Sequence, residues 1–329
     1  MKTNQTISIT RDSGIDWVKA IAITLVIFTH CFWSPSERTM IIFPFLVELG
    51  VPLFTLVTGY NYYNSLKKND RNTLQWYFKY GSRILIPFAI AMVIEVFYMA
   101  LVLHYPVKRM IFIIATGGMG QGSYYTVILM QIIILFPLLF RLINTKYGFI
   151  SIILGNLIFE IWVSVANMNP EIYRVLCLRY LIILATGAAY ARFKKQLAGN
   201  KEFILSVCFL VIGIICIYIL NYSGIKPVIF KQWTTTSMPT VFMAFALFLL
   251  IKRFLTYQNR LIEIISKSSF HIFLTQMVYY SSLDTALHIL LDIRSEFIAF
   301  PINLCICVSC GILFYYVETS VVKYIKAKL

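Results

Sequence analysis

Residues 124–143 read YYTVILMQIIILFPLLFRLI, an almost unbroken apolar run. A helix rises about 1.5 Å per residue, so twenty positions cross the roughly 30 Å hydrocarbon core of a bilayer. The regular alternation of a membrane-barrel strand is absent. Similar runs recur along the 329 residues, of which 59% are hydrophobic and 13% charged. A soluble domain carries roughly a quarter charged residues, and this chain cannot cover its surface with polar groups in water. In lipid the imbalance disappears, provided that helices pair every backbone amide. The expected fold is an all-α membrane protein, a polytopic helical bundle of about ten transmembrane helices.

Those spans are predicted over Ile15–Trp33, Ile41–Tyr62, Ile84–Leu103, Tyr124–Ile143, Gly148–Ala166, Val175–Phe193, Phe203–Tyr222, Met238–Leu255, Phe270–Ile289 and Phe297–Tyr316. Residues 1–14, MKTNQTISITRDSG, form a short polar N-terminal segment with no signal-peptide cleavage site after it. No loop is long enough for a soluble domain, so residues 1–329 are expected to form a single transmembrane domain. The longest connection, Tyr105–Ser123, contains TGGMGQGS, read as a flexible stretch near the outer surface. That glycine-rich run lacks the strand-then-helix setting of a nucleotide site. The seven cysteines lie in or beside apolar runs with no nearby histidine cluster, which makes neither a disulfide framework nor a metal site.

Basic residues orient the bundle. Arg38, Lys108, Arg109, Arg174, Arg179, Lys226, Lys231 and Arg294 fall on one side, and the other 21 of the 29 fall with the N-terminus. Both termini are therefore expected in the cytoplasm. The net charge of +15 then belongs to loops facing anionic lipid rather than to a nucleic-acid surface. Membrane lipids are expected partners; nucleic acid is not.

Ionisable residues within a membrane helix are costly, so each is a functional candidate. The first span has Asp16, Lys19 and His30 in IDWVKAIAITLVIFTH. Eleven steps of 100° bring His30 to within about 20° of Lys19 and roughly 16 Å farther along the axis. Asp16, one turn before Lys19, is close enough to pair with it. One face of one helix thus joins a cation near the cytoplasm to a titratable base near the outer side. The plainer alternative is a snorkelling lysine and an interfacial histidine bonded to a carbonyl.

DWVKAIAITLVIFTH resembles the opening signature of the integral-membrane acyltransferase family, acyltransferase 3, which includes bacterial O-acetyltransferases. That signature is a basic residue, ten residues, then histidine, matched here by Lys19 and His30; many members have arginine first. VPLFTLVTGYNYY is similar to a second element, with Thr58, Gly59 and Tyr60 in its key places. KYGSRILIP is similar to a third and keeps Arg83 and Pro87, with Tyr80 where a second arginine is frequent. SFHIFLTQ is similar to a fourth, with Gln276 where histidine is common and His271 at a glycine position.

The resemblance implies a multi-pass protein of the inner (plasma) membrane that moves an acyl group, most often acetyl, from acyl-coenzyme A to a hydroxyl of a cell-envelope glycan or related acceptor. It implies His30, with Lys19 and Asp16, as the catalytic group, and Arg83, Lys79 and Lys19 as ligands of the donor's phosphates. No metal is expected. A neutral imidazole can act as general base or carry the acyl group itself, and both routes remain open.

Tyr60, Tyr124, Tyr125, Gln131 and Gln276 are candidates to line the acceptor site, although the tyrosines also suit an aromatic belt. Glu95 and Glu160 lie mid-span and must pair or stay protonated. Arg179 and Tyr180 resemble a further family position. His104 and His288 read as interfacial, and Asp284 as a helix cap or a sugar ligand. The alternative function is a carrier or flippase for a lipid-linked glycan without group transfer, although paired broken helices in two matching halves are not seen.

Overall fold

The computed structural model describes residues 11–68, 73–120, 122–224, 229–233, 237–284 and 295–328. Among these residues no strand is present and ten long helices carry the chain. They are α1 Ser13–His30, α2 Gly50–Lys68, α3 Thr73–Leu101, α4 Tyr124–Ile143, α5 Gly148–Val165, α6 Leu181–Leu197, α7 Asn200–Tyr222, α8 Thr240–Phe254, α9 Arg260–Ser282 and α10 Glu296–Lys328. Short helices at Pro35–Met40, Phe43–Leu46, Val107–Ala115 and Pro170–Val175 lie in the connections. The expected positions of Lys226, His288 and Arg294, and the end of the Phe270–Ile289 span, lie outside the described residues.

Among the described residues, seven stretches are long and apolar enough to cross a membrane: α1, Phe43–Lys68, α3, α4, α5, α7 and α10. This is a multi-pass membrane protein. The clearest lipid-facing helix is α7, with a mean hydropathy of 3.0 over its most apolar window and only 17% of that window buried. Its buried residues are Ser206, Gly213 and Ile217, so the apolar side chains point outward. The other three expected spans correspond to α6, α8 and α9, which are shorter or more polar. Burial explains this for α6, which is covered by its neighbours from residue 182 to residue 191. Small residues there allow close packing of helix on helix, and no lipid has to be met.

Three helices run well beyond the spans read from hydropathy. α3 begins at Thr73 rather than Ile84, α9 at Arg260 rather than Phe270, and α10 runs on to Lys328 rather than Tyr316. Hydropathy marks the lipid thickness, whereas a helix continues into water because its backbone bonds are internal. At 33 residues α10 is about 50 Å long, well beyond the bilayer core.

α1 lies at the centre, packed against α2, α8, α9 and α10. Its start is set by Asp12, whose side chain accepts from the Ile15 N–H at 3.4 Å, and it ends at His30. α2 and α6 meet at Gly59 and Gly187. A Cβ on Gly59 would strike the Leu184 carbonyl, and one on Gly187 the Leu56 carbonyl. Gly59→Val must therefore push the two helices apart. It is expected to cost about 1–3 kcal/mol, the scale of an overpacked core, and to lower the thermal midpoint of the purified protein in detergent. An unchanged midpoint would mean that the helices do not approach this closely.

Candidate active site

A cavity of about 1380 Å³ opens between α1, α2, α3, α9 and α10. Its walls carry Lys19 from α1, Lys68 and Tyr60 from α2, Lys79 and Arg83 from α3, and Lys323 and Lys326 from α10. None of these six cations forms an ion pair among the described residues. Lys79 and Arg83 instead lie over the Tyr80 ring, at 5.6 and 5.7 Å. Pro87 cannot donate the helical bond that would reach the Arg83 carbonyl, so the helix is loosened at that turn.

The carboxylates on the same walls are all engaged elsewhere. Asp16 is held by Arg11, with Nε to Oδ2 at 2.5 Å and Nη2 to Oδ1 at 2.6 Å, and by the Ser266 hydroxyl at 2.6 Å. Asp12 accepts from Tyr60 at 3.4 Å and faces Lys252 at 3.9 Å. Glu318 faces His271 at 3.6 Å. The expected Asp16–Lys19 pair is thereby corrected: Asp16 turns to Arg11 and Ser266, and Lys19 forms no ion pair among the described residues. The Asp16 bond raises the Arg11 guanidinium above its ordinary value, so Arg11 is always charged.

The far end of α1 presents His30. Its Nδ1 lies 2.8 Å from Oε1 of the fully buried Gln276 on α9. An amide oxygen only accepts, so Nδ1 carries the proton and the Nε2 lone pair is free. The ring is half-buried, with Tyr280 edge-on at 6.1 Å between centroids. The amide Nε2 of Gln276 has no partner among the described residues. His30 does not line the large cavity itself. The cavity reaches Val26, one turn below, and Phe273.

The glycine-rich connection closes over this end. Gly122, at φ +80°, brings backbone so near that a Cβ would sit 3.1 Å from His30 Nε2. Gly118 and Gly120 lie equally close to Glu95 and Met277. Glu95 accepts from the Met119 N–H at 2.7 Å and ties the loop to α3. The segment read as a flexible outer stretch is thus folded against His30, apart from Gln121, which lies outside the described residues.

A model of the acyltransferase 3 family, described as an acyltransferase domain, matches residues 12–316. The chain belongs to this family. No curated protein and no solved structure matches it. Membership in the acyltransferase 3 family makes the chain a membrane acyltransferase with an acyl donor and an acceptor.

Against that background the candidate residues fall into two groups. Lys19, Arg83, Lys79, Tyr60 and Tyr125 come together on one cavity, with Asp16 on its wall. Gln276 and His30 form a pair beyond its end. Tyr124 and Gln131 join neither. Arg174 covers the Tyr124 ring at 4.7 Å, and the Gln131 amide clamps backbone, donating to the Val175 carbonyl and accepting from the Cys177 N–H, each at 2.9 Å.

Glu160 accepts from the Tyr173 hydroxyl, at 2.9 and 3.0 Å. His271, at the glycine position of the fourth element, lies on the cavity wall edge-on to the Phe314 and Tyr315 rings. Residues absent from the sequence reading are Lys68, Lys323 and Lys326 on the cavity, and Gly122 at the histidine. The signal for the lysines was their crowding at helix ends; Gly122 had only its place in a glycine-rich run.

Proposed function

We propose that the protein transfers an acyl group, most often acetyl, from cytoplasmic acyl-coenzyme A to a hydroxyl of a cell-envelope glycan or related acceptor at the outer face of the plasma membrane. The observation that carries this reading is the arrangement along α1. Six cations without an ion pair among the described residues surround a cavity at one end, and a histidine whose Nε2 has no hydrogen-bond partner among them stands at the other. The donor is a polyanion ending in a long neutral arm. Its phosphates suit Lys19, Lys79 and Arg83, and its arm suits the part of the cavity lined by Val26 and Phe273.

The chemistry balances on the chain's own groups. His30 Nε2 takes the proton of the acceptor hydroxyl as its oxygen attacks the thioester carbonyl carbon. The spare Gln276 N–H is within the same cluster and can donate to the oxygen that gains charge. The carbon–sulfur bond then breaks, and the imidazolium returns its proton to the departing thiolate. Tyr60 and Tyr125 would serve the wall facing the acyl arm.

Sidedness has independent support. Arg11 and the start of α1 contribute to the same cavity as Lys323 and Lys326 of α10, so the first and last described segments lie at one end of the bundle. An even number of crossings meets this condition, and seven would not. Counting α6, α8 and α9 gives ten crossings and, with the basic loops, both termini in the cytoplasm. Residues 1–329 then form a single transmembrane domain.

Arg83→Ala is expected to weaken coenzyme A binding by about 1.5–3 kcal/mol, the scale of one charged hydrogen bond. Titration calorimetry on the purified protein measures it. Unchanged affinity would remove Arg83 from the donor site. A carrier for a lipid-linked glycan would bind no coenzyme A at all, so the same titration on the parent separates the two functions.

A further inference from the structure

We propose that Arg11 is a positioning residue for donor binding: together with Ser266 it sequesters Asp16 and so keeps the Lys19 ammonium free for the donor's phosphates. The proposal rests on the reading of Lys19 as a donor ligand. Asp16 stands one helical turn before Lys19 on the same face, within reach of a side-chain pair. An unpaired charge inside a membrane helix is costly, so an unoccupied Asp16 carboxylate would turn to the nearest cation. That cation is Lys19, and the pair would cancel the charge meant for the ligand.

The structure prevents this by filling both oxygens. The Arg11 fork takes Oδ2 through Nε and Oδ1 through Nη2, and the Ser266 hydroxyl adds a bond to Oδ1. A planar guanidinium matches a carboxylate in this two-point manner, which a lysine cannot do. Arg11 is itself tethered to α9, with Nη1 3.5 Å from Glu263 Oε1 and Nη2 3.5 Å from the Glu263 carbonyl. Glu263 is fixed in turn by Lys267 at 2.5 Å. The second carboxylate near the start of α1, Asp12, is occupied by Lys252 and Tyr60. Both aspartates that could neutralise Lys19 are therefore bound to other groups.

The test uses the full chain in detergent, coenzyme A as the probe and calorimetry as the readout, with thermal midpoints recorded alongside. Lys19→Ala and Arg11→Ala are each expected to weaken coenzyme A about tenfold, as loss of one charged contact does. The decisive variant is Arg11→Ala with Asp16→Asn, in which no carboxylate remains to capture Lys19; affinity is expected to return to within about twofold of the parent, on the scale of a neutral side-chain change.

If the double variant binds as weakly as Arg11→Ala, then Arg11 touches the donor directly or supports the fold, and the positioning role is wrong. The role is equally wrong if Arg11→Ala binds like the parent while Lys19→Ala does not. Should Lys19→Ala bind like the parent, the donor reading of Lys19 fails first, and the proposal falls with it.

Discussion

His30→Ala is expected to slow acyl transfer by about 10²–10⁴-fold, the usual effect of removing a general base. Coenzyme A affinity should stay near the parental value, because the cations proposed to hold the donor line a cavity that His30 does not. Folding should also change little. The ring is half-buried, and it makes one hydrogen bond, to Gln276, and an edge-on approach to Tyr280. The experiment compares product formed from labelled acyl-coenzyme A with the thermal midpoint of the same preparation. A well-folded His30→Ala protein that transfers at the parental rate would make the histidine structural and displace the site.

Gln276→Leu is expected to lower the turnover number by about 10²–10³-fold, for two reasons that act at the same atom pair. Loss of Oε1 removes the acceptor that keeps the His30 proton on Nδ1, so the ring can turn or change tautomer and Nε2 is no longer reliably a base. Loss of the amide N–H removes the donor aimed at the carbonyl oxygen that gains charge. The donor's KM should be nearly unchanged, because Gln276 lies beyond the cavity that holds the phosphates. Gln276→His, the residue more common in the family at this place, should retain more activity than Gln276→Leu because a ring nitrogen can still accept. Equal activities of parent and Gln276→Leu would show that the Gln276–His30 bond does not orient the base.

Much of this arrangement was legible in the sequence. Lys19 and His30 were assigned to one helix face by counting steps of 100°, and the structure gives one continuous helix from Ser13 to His30. Arg83, Lys79 and Tyr60 were proposed from short motifs and Tyr125 from its place at the start of a span, and all line the same cavity. What was not legible depends on side chains that are far apart in sequence. Asp16 has two candidate cations nearby, and periodicity favours Lys19. The choice of Arg11 depends on Ser266 and Glu263, some 250 residues away.

The glycine-rich connection failed for a related reason. Composition identifies backbone that can turn freely, and gives no information on what it turns against. Only the packed structure shows Gly122 beside His30 and Met119 bonded to Glu95. Hydropathy likewise understated α3, α9 and α10, because their polar extensions lie beyond the lipid yet supply Lys79, Lys323 and Lys326 to the cavity.

The central claim is transfer from a donor on one side of the membrane to a hydroxyl on the other through His30. It is tested most directly in sealed vesicles holding protein of one orientation. Labelled acetyl-coenzyme A is supplied only on the face that bears the termini, and glycan acceptor only on the opposite face. The account predicts labelled O-acetyl glycan on the acceptor side from the parent and at least about 10²-fold less from His30→Ala. Label on the acceptor from His30→Ala at the parental rate, or glycan crossing the vesicle wall unacylated from the parent, would contradict it.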